Sequence, residues 1–205
     1  MKVTFITLTN SGYLPYTLNC LKSLREIGVD ELKCYAIGNK AYRRISRVNA
    51  TAECIRDEAN TDFQVFRRGD WAQVTFYKFE IIHANLRTSD FVCFTDGDIV
   101  FKDARVLDYC RENIGGHDLL IQNDSMDDAS GENLCSGFMF IRSNPATLRY
   151  FDPEYVKANS KITEGWDDQV YVNQIKDRLR FGLLPLALFP NGKYFTTNHR
   201  ALTPY

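Results

Sequence analysis

Phe91-Val92-Cys93-Phe94-Thr95-Asp96-Gly97-Asp98-Ile99-Val100-Phe101 is an apolar run interrupted by two carboxylates separated by one glycine. A continuous apolar stretch rich in Phe and Val reads as a strand covered on both faces, which belongs to an α/β protein. In open α/β sheets ligands bind where such strands finish. Two acidic side chains at that point call for a cation. Asp96 and Asp98 are spaced to share one hard divalent ion or its bound water, and Mg²⁺ or Mn²⁺ is commonly held by one or two carboxylates while substrate phosphates complete the shell. Gly97 removes the side chain that would obstruct this approach. Asp-Gly is also a common turn dipeptide. The apolar flanks on both sides favour the metal–phosphate reading, because a surface turn does not need a buried strand before and after it.

Working outward, VTFITL (3–8) reads as a first strand, and Thr9-Asn10-Ser11-Gly12 as a loop into a helix with Leu14, Leu18, Leu21 and Leu24 at helical spacing, stopped by Gly28. LKCYAI (32–37) is a second strand, followed by a polar helix over about 40–57 and a short third strand FQVF (63–66). The order β-α-β-α-β predicts a mainly parallel sheet with helices on both faces. Residues 71–86 read as a helix with Val74, Tyr77, Ile81 and Ala84 inward, and Lys78 lies in that apolar neighbourhood. HDLLIQ (117–122) and SGFMFIRS (136–143) are later strands, joined by the Asp-, Ser- and Gly-rich segment NDSMDDASGENL, which reads as a mobile loop. A helix from about Trp166 to Leu179, the run FGLLPLALF and a polar tail with Asn198 and His199 follow. With no internal repeat or linker, a single domain over 1–205 is expected, excision from a longer chain being left open.

The formal charge of -1 gives no general electrostatic footprint for nucleic acid or an anionic membrane. Met1 to Leu8 is too short for a signal peptide and nothing approaches a membrane span. The six cysteines show no CxxC spacing, and Cys20, Cys34, Cys93 and Cys135 fall in apolar patterns. They read as reduced core residues, and the expected compartment is the cytoplasm.

Taken together, the first strand, Lys78, the Asp-Gly-Asp turn, the Ser136-Gly137-Phe138 strand and Trp166-Asp167-Asp168-Gln169-Val170-Tyr171-Val172-Asn173 resemble the GT-A-fold nucleotide-diphospho-sugar glycosyltransferases that carry DxD. These include glycosyltransferase domains of large algal viruses, for which the compartment would be the host cytoplasm. The resemblance runs from the first strand to about Asn198. It implies an α/β, Rossmann-like GT-A fold and transfer of a sugar from a nucleoside-diphosphate donor, often UDP, to a glycan acceptor hydroxyl, with retention. Asp96 and Asp98 would hold Mn²⁺ or Mg²⁺ against the diphosphate, with His199 as a third ligand, against the alternative of an exposed tail histidine. Thr9, Asn10 and Tyr13 would meet the nucleoside, although Asn10 reads equally as a helix cap. Gly97 would pass the diphosphate; Ser136 and Gly137 would lie near the donor sugar. Cys135 stands where the family often has Asn or Asp, which puts one sugar contact in question. Lys78 would reach the phosphates or the sugar, unless it merely snorkels from a buried helix.

Asp168, Gln169 and Asn173 match a DQxxxN pattern, which implies a carboxylate and an amide in a first helical turn facing the sugar. Asp168 would act as base, bind hydroxyls or stabilise an oxocarbenium-like sugar, with Asp167 as substitute. Capping the helix is the competing role for either acid. Trp166 would be a platform under a sugar or simply a core or rim residue. The enzyme alternative is a haloacid-dehalogenase-type phosphatase, with Asp96 as nucleophile, but such enzymes usually begin at the DxD strand, whereas about ninety residues precede it here. A non-catalytic nucleotide-sugar-binding module is the alternative outside the enzymes.

Overall fold

A computed structural model describes residues 1–59, 61–64, 71–160 and 166–198. The chain forms β1 (Val3–Thr9), α1 (Leu14–Glu26), β2 (Lys33–Ile37), α2 (Asn39–Ile45), β3 (Glu53–Ile55), α3 (Trp71–Leu86), β4 (Phe91–Thr95) and α4 (Val106–Asn113). There follow β5 (Leu119–Asn123), β6 (Leu134–Arg142), α5 (Pro145–Tyr150), α6 (Pro153–Asn159), α7 (Asp168–Ile175), a 3₁₀ turn, β7 (Phe181–Leu184) and α8 (Gly192–Asn198). The strands make one sheet of order β3-β2-β1-β4-β6-β5-β7. β6 lies antiparallel to both β4 and β5, and the remaining pairings are parallel, so the sheet is mixed and mainly parallel.

Both faces of the sheet are covered, which is why β4 is buried throughout and apolar from Phe91 to Phe94. Val92 and Phe94 join one core with Ile6, Phe79, Met139 and Tyr171, while Phe91 and Cys93 join the other with Phe5, Leu24, Cys110 and Phe140. Each fully buried Phe or Ile stabilises the fold by about 1.5–3 kcal/mol relative to exposure. The strand series β1, β2, β3 grows from β1 in one direction, and β4 is then laid on its other side. A crevice opens at such a reversal, outside the carboxyl ends of the strands. Here those ends are Thr9 of β1 and Thr95 of β4, which leads directly to Asp96.

Three expectations are corrected. The segment expected as one helix over 40–57 contains only α2, after which Glu53, Cys54 and Ile55 pair in parallel with Tyr35, Ala36 and Ile37. Long-range pairing, with Lys33 bridging to Glu53 at 2.6 Å across the strands, overrides the local polar pattern. The third strand is therefore β3; Phe63 and Gln64 are not in a strand, and Val65 and Phe66 lie outside the described residues. The helix expected from Trp166 starts at Asp168, because the Asp167 side chain accepts from the Val170 amide and caps it.

The third correction concerns the segment between β5 and β6, expected to be mobile. It is tied down from several directions. Asn191 donates to the carbonyls of Asn123 and Ser125, the Asp128 carboxylate accepts from the Leu186 amide at 2.6 Å, and Lys176 donates to the carbonyls of Gly131 and Glu132. Its Asp and Ser side chains serve as local acceptors rather than as solvated chain.

Candidate active site

At the reversal point a cavity of about 160 Å³ is lined by Thr9, Asn10 and Tyr13 from the end of β1, Trp71, Thr75 and Lys78 from α3, the Asp96-Gly97-Asp98 turn, Ser136 and Gly137 from β6, and Asp167, Asp168 and Gln169 from the start of α7. A second hollow, of about 600 Å³, shares Asp96, Asp98, Cys135 and Gly137 with the first and is floored by Phe101, Phe138 and Phe189. The two acidic side chains thus form a ridge that lines both chambers.

One wall is an ion-paired, nearly dry cluster. The Lys78 ammonium donates to Asp168 Oδ2, approaches Asp96 Oδ1 at 3.1 Å and the Ser136 carbonyl at 3.3 Å, and sits 4.7 Å from the centre of the Phe94 ring. Ser136 Oγ donates to the same Asp168 Oδ2 at 2.6 Å. Side-chain exposure is 5% for Lys78 and 7% for Asp168. Burial alone would depress the Lys78 ammonium, but the neighbouring Asp168 and Asp96 carboxylates outweigh it and hold the group above the usual lysine range, hence charged. Lys78 therefore does not snorkel to solvent; its charge points into the cleft.

Asp96 has a mixed environment. Burial raises its carboxyl above the usual range, Lys78 opposes this, and Asp168 and Asp98 add to the rise. Its side chain is nevertheless 42% exposed to the cleft, so water moderates the effect. Asp98 is exposed. The turn is sterically demanding: a Cβ on Gly97 would come within 2.4 Å of Thr17 Oγ1, and one on Gly137 within 3.1 Å of Asp96 Oδ2. Glycine at both positions lets the turn lie against α1 and β6. Among the described residues no three His, Cys, Asp or Glu side chains form a metal cage. An Mg²⁺- or Mn²⁺-type ion does not need one when substrate phosphates supply the other donors, so the exposed Asp98 with the partly exposed Asp96 beside it fits such an ion.

At the other end, Asn10 Oδ1 accepts from the amides of Gly12 and Tyr13 and its Nδ2 donates to the Asp62 carbonyl, so its side chain builds the turn into α1. Thr9 and Thr17 are joined through their hydroxyls at 2.8 Å. Tyr13 donates to the Gln64 carbonyl, and its ring lies 4.9 Å from Phe63 and 5.8 Å from Trp71. Burial and the nearby Asp98 push its phenol up to about 12, so it stays neutral beside the acidic turn.

α7 distributes the residues of its motif over different tasks. Asp168 enters the cluster with Lys78. Gln169 lines the cleft but donates to Asp124 Oδ2 at 2.9 Å, joining α7 to the segment after β5. Asn173 departs from the donor contact that the resemblance implies: its Oδ1 accepts from the Leu134 amide and its Nδ2 donates to the Leu134 and Gln169 carbonyls. One and a half turns beyond Asp168, it fastens the helix to β6. Trp166 is 37% exposed and does not line either chamber. His199 lies outside the described residues.

The sequence reading passed over Trp71 and Thr75, whereas Cys135, expected beside the sugar, does line the cavity. Trp71, Thr75 and Lys78 follow i, i+4, i+7 spacing, so a lysine suspected of facing a site was already a signal for its neighbours one and two turns earlier. Burial pushes the Cys135 thiol up to about 12 and keeps it neutral in the wall between the chambers. No helix among the described residues is long and apolar enough to cross a membrane.

Residues 30–204 match the family described as nucleotide-diphospho-sugar transferase. A curated relative, the UDP-galactose:fucoside alpha-3-galactosyltransferase of Dictyostelium discoideum, is 24% identical over 98% of this chain and 39% of its own length. The glycosyltransferase GlyE of Streptococcus pneumoniae TIGR4 superposes with a TM-score of 0.59 at 16% identity, covering 91% of this chain and 45% of that one. The galactosyltransferase LgtC, crystallised with donor and acceptor sugar analogues, does so with a TM-score of 0.59 at 12% identity over 90% and 74% of the two chains. The architecture is the GT-A fold. The chain spans less than half the length of the curated relative and of GlyE.

Proposed function

The chain belongs to the nucleotide-diphospho-sugar transferase family, and on that premise we propose a metal-dependent glycosyltransferase that moves a sugar from a UDP-sugar to an acceptor hydroxyl with retention. The observation that carries the reading is a surplus of carboxylate at the reversal point. Asp96, Asp98, Asp167 and Asp168 line the first chamber against the one ammonium of Lys78 among the described residues there. A diphosphate brought to such a place needs additional positive charge. Asp96 and Asp98 would hold Mn²⁺ or Mg²⁺, which supplies neutralisation of the charge that builds on the departing diphosphate.

The protein's own groups divide the remaining work. Lys78, kept charged by its partners, offers a fixed positive charge beside Asp96. Asp168 presents carboxylate to the sugar, where positive charge grows as the bond to phosphate breaks. The rings of Tyr13 and Trp71 offer apolar faces to the nucleoside, since the Tyr13 hydroxyl and the Asn10 side chain are already engaged. The second chamber, continuous with the acidic ridge, is where an acceptor hydroxyl reaches the same centre. The name of the Dictyostelium relative supports a UDP-sugar donor and, because the sugar in UDP-galactose is itself α-linked, an outcome with retention.

Incubation with Mn²⁺ and a panel of nucleotide sugars should release nucleoside diphosphate, fastest from UDP-sugars, and chelation should abolish the release. An undiminished rate after chelation would remove the metal from the reading. Binding of UDP without release from any donor would leave the non-catalytic module instead. The anomeric proton coupling of the product reports retention.

A further inference from the structure

Asp168 is held by an asymmetric grip. Two donors, the Ser136 hydroxyl at 2.6 Å and the Lys78 ammonium, converge on its Oδ2. Oδ1 accepts no hydrogen bond among the described residues, although the residue lines the cavity. Ser136 is 3% exposed and its backbone carbonyl accepts from the same ammonium, so the serine contacts both members of the ion pair. A carboxylate bonded through one oxygen to two donors from different elements, β6 and α3, has lost its rotation about the terminal bond.

We propose that Ser136 is a positioning residue: with Lys78 it fixes Oδ2 of Asp168 and thereby selects Oδ1 as the oxygen turned toward the donor sugar. This rests on the reading of the cleft as a nucleotide-sugar site. It goes beyond that reading by giving the side chain of Ser136 a task distinct from sugar contact. The hydroxyl acts on Asp168, not on the substrate, so its loss should leave substrate affinity alone while loosening the oxygen that meets the reacting centre. Lys78 by itself permits rotation about a single contact; the second donor removes it.

The test is a kinetic double-mutant cycle on the full chain with Mn²⁺ and the donor that wild type uses. S136A should lower kcat about tenfold, the effect of one hydrogen bond to a charged group, with the donor KM unchanged. S136T, which keeps the hydroxyl, should recover most of that loss. In a D168N background, S136A should cost no further activity, because the oxygen it positions is already replaced. A rise in donor KM matching the fall in kcat, or equal losses of kcat with and without Asp168, would overturn the proposal and leave the transferase reading standing. Should wild type release no nucleoside diphosphate from any donor, the transferase reading itself falls and the proposal with it.

Discussion

Asp168 and Asp98 are the same residue type lining one cavity, and they are held in opposite ways. Asp168 is 7% exposed, ion-paired to Lys78 and bonded to Ser136. Asp98 is exposed on a turn and forms no ion pair among the described residues. A buried carboxylate gripped through one oxygen by a hydroxyl and an ammonium has its position chosen in advance. An exposed one with open oxygens is available for a ligand that arrives from solution. On the function proposed above, the contrast separates a group that orients from a group that binds, and Asp96, touching Lys78 yet 42% exposed, stands between them.

Removing the binding side should have the largest effect. Asp98→Ala is expected to lower Mn²⁺-dependent turnover on the order of 10²–10³-fold with an unchanged melting temperature; full activity in that variant would erase the contrast. Removing the counter-charge from the buried side comes next. Lys78→Met leaves Asp168 buried without its cation and should destabilise the fold by about 3 kcal/mol, a fall in Tm of roughly 6–12 °C by calorimetry. Asp168→Asn should then cost transfer about 10²-fold while UDP binding, measured by titration calorimetry, changes little; equal losses in both would make Asp168 a binding group like Asp98. The smallest effect belongs to Asn173→Ala. It should lower stability by about 1–2 kcal/mol through the freed Leu134 backbone groups and leave the donor KM in place.

Much of this is legible in the amino-acid sequence. The apolar run before Asp96 needed both faces covered, and the two cores on either side of β4 are the reason. Lys78 and Asp168 could each be suspected from their patterns, but their contact joins residues 90 apart and no local period encodes it. The same limit explains β3, whose pairing with β2 depends on a neighbour distant in sequence, and Asn173, whose motif position suggested a ligand but whose partners are the backbone of β6. The segment after β5 misled for a related reason. Its Asp, Ser and Asn residues have a composition shared by free loops and by loops that hydrogen-bond to themselves.

That segment has a consequence for traffic through the cleft. Anchored by Asn191, Lys176, Gln169 and the Leu186 amide, it borders the second chamber through Asp124 as a strap rather than a lid. Swinging it aside would rupture several hydrogen bonds at about 1 kcal/mol each, among them the Gln169–Asp124 bond that ties it to α7. On this side the rim is set by hydrogen bonds to α7, to the 3₁₀ turn and to the residues after β7, so widening it means breaking contacts with three separate parts of the fold.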